Sequence, residues 1–150
     1  ALFAVSAALF LVVAVLWYQD RGNSETISPP PSIPGRNEAI NVLTALRDND
    51  LSAQFDRTGG GRAHVLSVAG QAFDVEGAHL YVFIYPQGVD SRTFDTEELD
   101  VAEVSVVNTA GTPVADGAPE VFMGSNVVAV LYGGSDETAT KVRQAIEGLP

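Results

Sequence analysis

The chain contains no cysteine. That absence excludes disulfides, thiolate metal sites, cysteine nucleophiles and lipid attachment through a thiol. It is compatible with export without requiring it. Basic charge is nearly as scarce. The 150 residues hold 8 lysines and arginines together against 19 acidic side chains, a net charge of −11, and Lys141 is the sole lysine. A field of that sign repels nucleic acid and anionic membrane surfaces, so neither is expected as a partner of the charged part of the chain.

Catalytic signatures are missing too. Gly59-Gly60-Gly61-Arg62 lacks the Lys and Ser/Thr of a phosphate-binding loop and reads as a flexible hairpin leading into a strand. Gly133-Gly134-Ser135 precedes a helix, but Asp136 and Glu137 already occupy the end where an anion would sit. No serine has a nucleophile-elbow setting. Among so many carboxylates none can be chosen as an acid and base pair. The expectation is a protein that is not an enzyme and carries no cofactor.

What is present begins at the first residue. Ala1 to Tyr18 holds no charged side chain, and only Ser6 is polar before the Trp17-Tyr18 end. A helix over this run, at roughly 1.5 Å per residue, spans about 27 Å, close to the apolar thickness of a bilayer. A cleaved signal peptide should end in small residues, and Leu16-Trp17-Tyr18-Gln19 does not. A buried core helix should show a polar face, and this run has none. Trp17 and Tyr18 suit the membrane–water interface. A retained single-pass anchor over 1–18 is therefore expected, in contact with the lipid bilayer and offering Ala4, Ser6, Ala7 and Ala8 for close packing against a membrane partner. The first residue is Ala rather than Met, so the true N-terminus, with any basic segment it carries, is expected to precede residue 1. The weakly charged flank after the helix favours export of everything that follows, to the extracytoplasmic side of the cell membrane.

Residues 19–36 include Pro29, Pro30, Pro31 and Pro34 and read as a semi-rigid spacer. Residues 37–150 suffice for one hydrophobic core. Asn37 is placed to cap a helix whose Ala39, Val42, Leu43 and Leu46 form one apolar face. Strand patterns follow at 52–55, 63–68, 71–75 and 79–85, with turns at the Gly59 run, Ala69-Gly70 and Glu76-Gly77. In His79 to Tyr85 both alternating faces are largely apolar, which marks a central strand. A weak helix is expected over 90–99 and a strand over 104–108. A hairpin is expected from 120–123 to 126–132 across Gly124-Ser125. Ser135 should cap a last helix striped by Ala139, Val142, Ile146 and Leu149. Tight turns make strands antiparallel, and apolar helix stripes need a sheet face. The fold class is therefore α+β: an N-terminal transmembrane helix, then a small antiparallel sheet of about six strands with two or three helices on one face.

The phrases Gly70-Gln71-Ala72-Phe73-Asp74-Val75-Glu76-Gly77, Leu80-Tyr81-Val82-Phe83-Ile84-Tyr85-Pro86 and Gly124-Ser125-Asn126-Val127-Val128-Ala129-Val130-Leu131, with Phe122, resemble those of small bacterial envelope proteins. That group has a lipoprotein or single-helix anchor, a Pro-rich or Ser-rich linker and one α+β domain. The resemblance implies location and fold. It supplies no catalytic residue, and this chain departs from the lipoprotein members in lacking the lipidated Cys.

Three constellations are candidates for function. His64 and His79, with Asp74 or Glu76, have the ligand types of a zinc site but no third ligand that can be placed, so unrelated strand histidines are the plainer reading and no metal is expected. Asp95, Glu97, Glu98, Asp100 and Glu103 concentrate acid without the glycine turn of a calcium loop. They read as a solvated helix face or as an interaction patch for a basic partner. Tyr81, Phe83 and Tyr85 share one strand face and would form a small-ligand surface if left open. Two functions follow. One is a membrane-anchored extracytoplasmic accessory or interaction domain, a non-catalytic subunit or tethered partner of an envelope complex. The alternative is a small-ligand-binding module that uses the aromatic strand face.

Overall fold

The computed structural model describes residues 31–150, which form one compact unit. The expected anchor, with Trp17 and Tyr18, and most of the spacer lie outside the described residues. Among the described residues no helix is long and apolar enough to cross a membrane. The fold is α+β, as the alternation of strand and helix patterns required.

The strands are β1 (Ala53–Ala63), β2 (Ala69–Val75), β3 (Ala78–Ile84), β4 (Val106–Val107), β5 (Glu120–Gly124) and β6 (Val127–Tyr132). They make one six-stranded sheet in the order β4-β1-β2-β3-β6-β5, and every pairing is antiparallel. The helices are α1 (Ala39–Asp48), α2 (Val89–Thr96) and α3 (Asp136–Glu147), with a 3₁₀ turn at Val101–Glu103. β3 is central, hydrogen-bonded to β2 and β6. The Glu76-Gly77 turn leading into it has φ of 53° and 78°, the left-handed pair that a two-residue hairpin turn demands.

A core covers each face of the sheet. On one face Val42, Leu43 and Leu46 of α1 and Val142, Ala145 and Ile146 of α3 pack against Phe73, Val75, Leu80, Val82 and Leu131. Phe55 stacks at a tilt on Phe73, with centroids 5.0 Å apart. On the other face Tyr81, Phe83, Tyr85, Val128, Val130 and Tyr132 lie under the segment that runs from Val104 through the two-residue β4, with Val106, to Val114 and Ala115. Tyr81 meets Tyr132 edge to face at 6.1 Å. Tyr132 Oη also accepts the Val106 N–H, which ties that roof to the sheet. Fully burying a side chain of Val or Phe size contributes about 1.5–3 kcal/mol, so each layer is a substantial part of the stability. Only α1 and α3 share a face. α2 buries none of its residues and is held by polar contacts instead.

The glycine run departs from expectation. Gly59-Gly60-Gly61 is not a hairpin turn but the far half of β1. Between the pairs Phe55↔Phe73 and Gly60↔Gln71, residues 56–59 oppose Ala72 alone, a large bulge that bends the strand. The glycines are needed for room. A Cβ on Gly61 would collide with Val106 Cγ1, and one on Gly70 would lie 2.7 Å from Phe83 Cζ. Val106 and the rings of Tyr81 and Phe83 fill the space that side chains at these two positions of β1 and β2 would take. The ladder therefore runs on through Gly61↔Gly70, and of the expected strand over 63–68 only Ala63 belongs to β1, the rest forming the connection between β1 and β2.

Asn37 is not the helix cap. Glu38 takes that position, its N–H donating to Asn41 Oδ1 at 2.8 Å. Asn37 is buried and turned the other way. Its N–H and Nδ2 donate to Asn126 Oδ1, and Nδ2 also donates to Ser125 Oγ and the Pro150 carbonyl. Asn126 Nδ2 returns bonds to the carbonyls of Asn37 and Tyr85. Residues 33–36, expected in the spacer, form a turn whose Gly35 N–H donates to Pro150 O at 3.0 Å.

Candidate functional site

α2 begins after Gly88 and is a short helix, because its sequence VDSRTFDT offers no apolar stripe to bury. Two side chains fix it to the body. Arg92 Nε donates to the Ser125 carbonyl at 2.6 Å. Asp95 Oδ2 accepts the Tyr85 hydroxyl at 2.5 Å and the Ser67 N–H at 2.8 Å. Burial alone would favour the neutral form of Asp95. The donated bonds from Ser67 and Tyr85 together outweigh that, and its pKa is lowered. Burial, first, and then the bond and charge of Asp95 raise the pKa of Tyr85 well above its ordinary value. The pair is thus a neutral phenol donating to a carboxylate.

With α2 fixed in this way, its Phe94 projects into solvent, 82% exposed. Downstream, Asp100 Oδ1 accepts the Ala102 N–H and turns the chain into the 3₁₀ segment. Between these elements lies an open groove of about 510 Å³, lined by Val65, Phe94, Leu99 and the carboxylates of Asp95, Glu97, Glu98, Asp100 and Glu103. No basic side chain lines it. The ion pairs Lys141–Glu137 and Arg143–Glu120 lie elsewhere.

The five acids of the sequence patch are therefore brought together on one surface, but they are not equivalent. Asp95 is a structural acceptor and Asp100 a turn cap. The side chains of Glu97, Glu98 and Glu103 are exposed and make no hydrogen bond or ion pair among the described residues. The sequence places Phe94 in the weak helical pattern over 90–99, together with Leu99, and does not single it out as a surface feature. One Phe and one Leu five residues apart do not make an apolar face, but only the helix's lack of a buried side shows the ring to be exposed.

The aromatic face is not open. Tyr81, Phe83 and Tyr85 are 7%, 0% and 0% exposed, closed over by the roof. The small-ligand alternative required that face to be accessible, and here it is core. His79 lies on β3 opposite Asp74 and Tyr132. His64 falls in the β1–β2 connection instead of on a strand. Among the described residues no group of three His, Asp or Glu converges to hold a metal. A second cleft, about 190 Å³, is lined by Leu51, Glu76, Ser135, Glu137, Thr138 and Lys141. Its polar groups serve the fold: Glu76 accepts the Ser52 N–H, Ser135 caps α3, and Lys141 pairs with Glu137.

No family model, no curated protein and no solved structure matches the chain.

Proposed function

We propose that this chain is a membrane-anchored extracytoplasmic interaction domain, a non-catalytic subunit or tethered partner of an envelope complex. Its contact surface is the groove beside Phe94. One observation carries the reading: a fully formed phenyl ring stands exposed beside three carboxylates without internal partners. Isolated exposed apolar residues are common, and so are acidic helix faces. A large ring held outward by two fixed hydrogen-bonding side chains, at the lip of a groove, is the anatomy of an anchor with a polar rim.

The apolar run over 1–18 and the proline-rich stretch after it support tethering, and the resemblance to anchored envelope proteins supports the same location. Recovery of the full chain from native membranes in mild detergent tests the reading. A discrete partner should accompany the wild type and be lost with Phe94→Ala. Recovery of the wild type alone, as a monomer, would sink it. Protease added to intact spheroplasts tests the location and should remove the domain. Survival of the domain would reverse the proposed orientation.

A further inference from the structure

We infer that the groove takes a cationic peptide segment carrying one large apolar side chain, the apolar group against Phe94 and its Lys or Arg groups on Glu97, Glu98 and Glu103. This deepens the docking reading above and rests on it. The walls divide by chemistry. Val65, Phe94 and Leu99 supply apolar surface, and every charged group lining the groove is a carboxylate. Val101, 47% exposed, follows directly on Asp100. Asp95 is already engaged by Tyr85 and Ser67, so it sets the orientation of α2 and is a positioning residue. Glu97, Glu98 and Glu103 are left for a partner.

Other occupants fit poorly. Residues 1–30 of this chain offer a single basic side chain, Arg21, against Asp20 and Glu25. A second copy brings a net charge of −11 to a surface of the same sign. Anionic lipid and phosphate ligands are repelled likewise. A lone metal ion finds no convergent set of three ligands among the described residues. A cation-bearing segment answers the charge, and its apolar residue removes the Phe94 ring from water. Arginine on such a segment can also lie over the ring face.

The test selects peptides from a randomised display library on the full chain held in detergent micelles. Binders are then measured by fluorescence anisotropy against the wild type, Phe94→Ala, and the triple variant Glu97→Gln, Glu98→Gln, Glu103→Gln. Phe94 is exposed, and the three glutamates have no internal partner, so both variants keep the fold, checked by circular dichroism. The expected binders are rich in Lys and Arg around one aromatic or aliphatic residue. Either variant should weaken them about tenfold or more, and raising salt should weaken them further. Binders without cationic enrichment that still depend on Phe94 would overturn the partner class and leave the docking reading standing. Binders indifferent to both variants, or none recovered, would overturn both.

Discussion

Replacing Tyr85 by Phe removes a single oxygen and tests how α2 is held. The ring is fully buried, so Tyr85→Phe leaves the second core packed. What disappears is the 2.5 Å bond to Asp95 Oδ2. Hydrogen bonds to charged groups contribute about 1.5–3 kcal/mol net. Asp95 is only half-buried and keeps the Ser67 N–H, so water can replace part of the loss. The lower end, about 1.5 kcal/mol, is expected. For a domain of this size that lowers Tm by roughly 6 °C. Thermal melts followed by circular dichroism measure it, and a double-mutant cycle with Asp95→Asn should give a coupling of about 1 kcal/mol or more. The pH dependence has a definite sign. Tyr85 has a raised pKa, so its contribution is complete below the unfolded value of about 10 and fades as pH rises beyond it. Wild type and variant should converge in that alkaline range. A loss under about 0.3 kcal/mol, or Asp95→Asn having the same effect in both backgrounds, would refute this account of how α2 is held.

Four further outcomes follow from the geometry. Asn126→Ala removes a side chain that serves four hydrogen bonds inside the fold, to the N–H, Nδ2 and carbonyl of Asn37 and the carbonyl of Tyr85. It should destabilise by about 3 kcal/mol or more in urea titration. Gly124→Ala would drive a methyl into the Ile146 carbonyl at the end of α3. A loss of roughly 3 kcal/mol is expected in the same assay. Asp95 has a lowered pKa, so its contribution is present above the unfolded value of about 4 and lost as pH falls through the folded one. Acid melts of the wild type should therefore drop more steeply below that point than those of Asp95→Asn. Phe94→Ala, by contrast, should shift Tm by no more than about 2 °C, because the ring is 82% exposed.

The parts of the fold legible in the sequence were those with strong periodicity. The double apolar alternation of His79 to Tyr85 placed β3 at the centre, because a strand apolar on both faces needs cover on both. The Ala39–Leu46 and Ala139–Ile146 stripes located the two helices of one layer. The Glu76-Gly77 turn was found where φ turns positive, whereas the second hairpin turn lies one residue later than expected, at Ser125-Asn126, with Gly124 closing β5 and the positive φ at Ser125. The glycine run failed for a physical reason. Glycine marks both a turn and a close approach, and only the tertiary partners Val106, Tyr81 and Phe83 show which applies. Asn37 failed in the same way, since a capping residue and the centre of a buried polar knot have the same local sequence. The acidic patch was visible in the sequence. Its division into two structural carboxylates and three unpartnered ones was not, because Ser67 and Tyr85 reach Asp95 from far along the chain. Phe94 became informative only once α2 proved to have no buried side.

The most direct test of the docking claim is photocrosslinking in native membranes. A benzophenone side chain in place of Phe94 is compared with the same group in place of Gln144, exposed on α3. One discrete partner adduct from position 94 and none from position 144 is the predicted result. Adducts of the same pattern from both positions, or none from position 94, would contradict it.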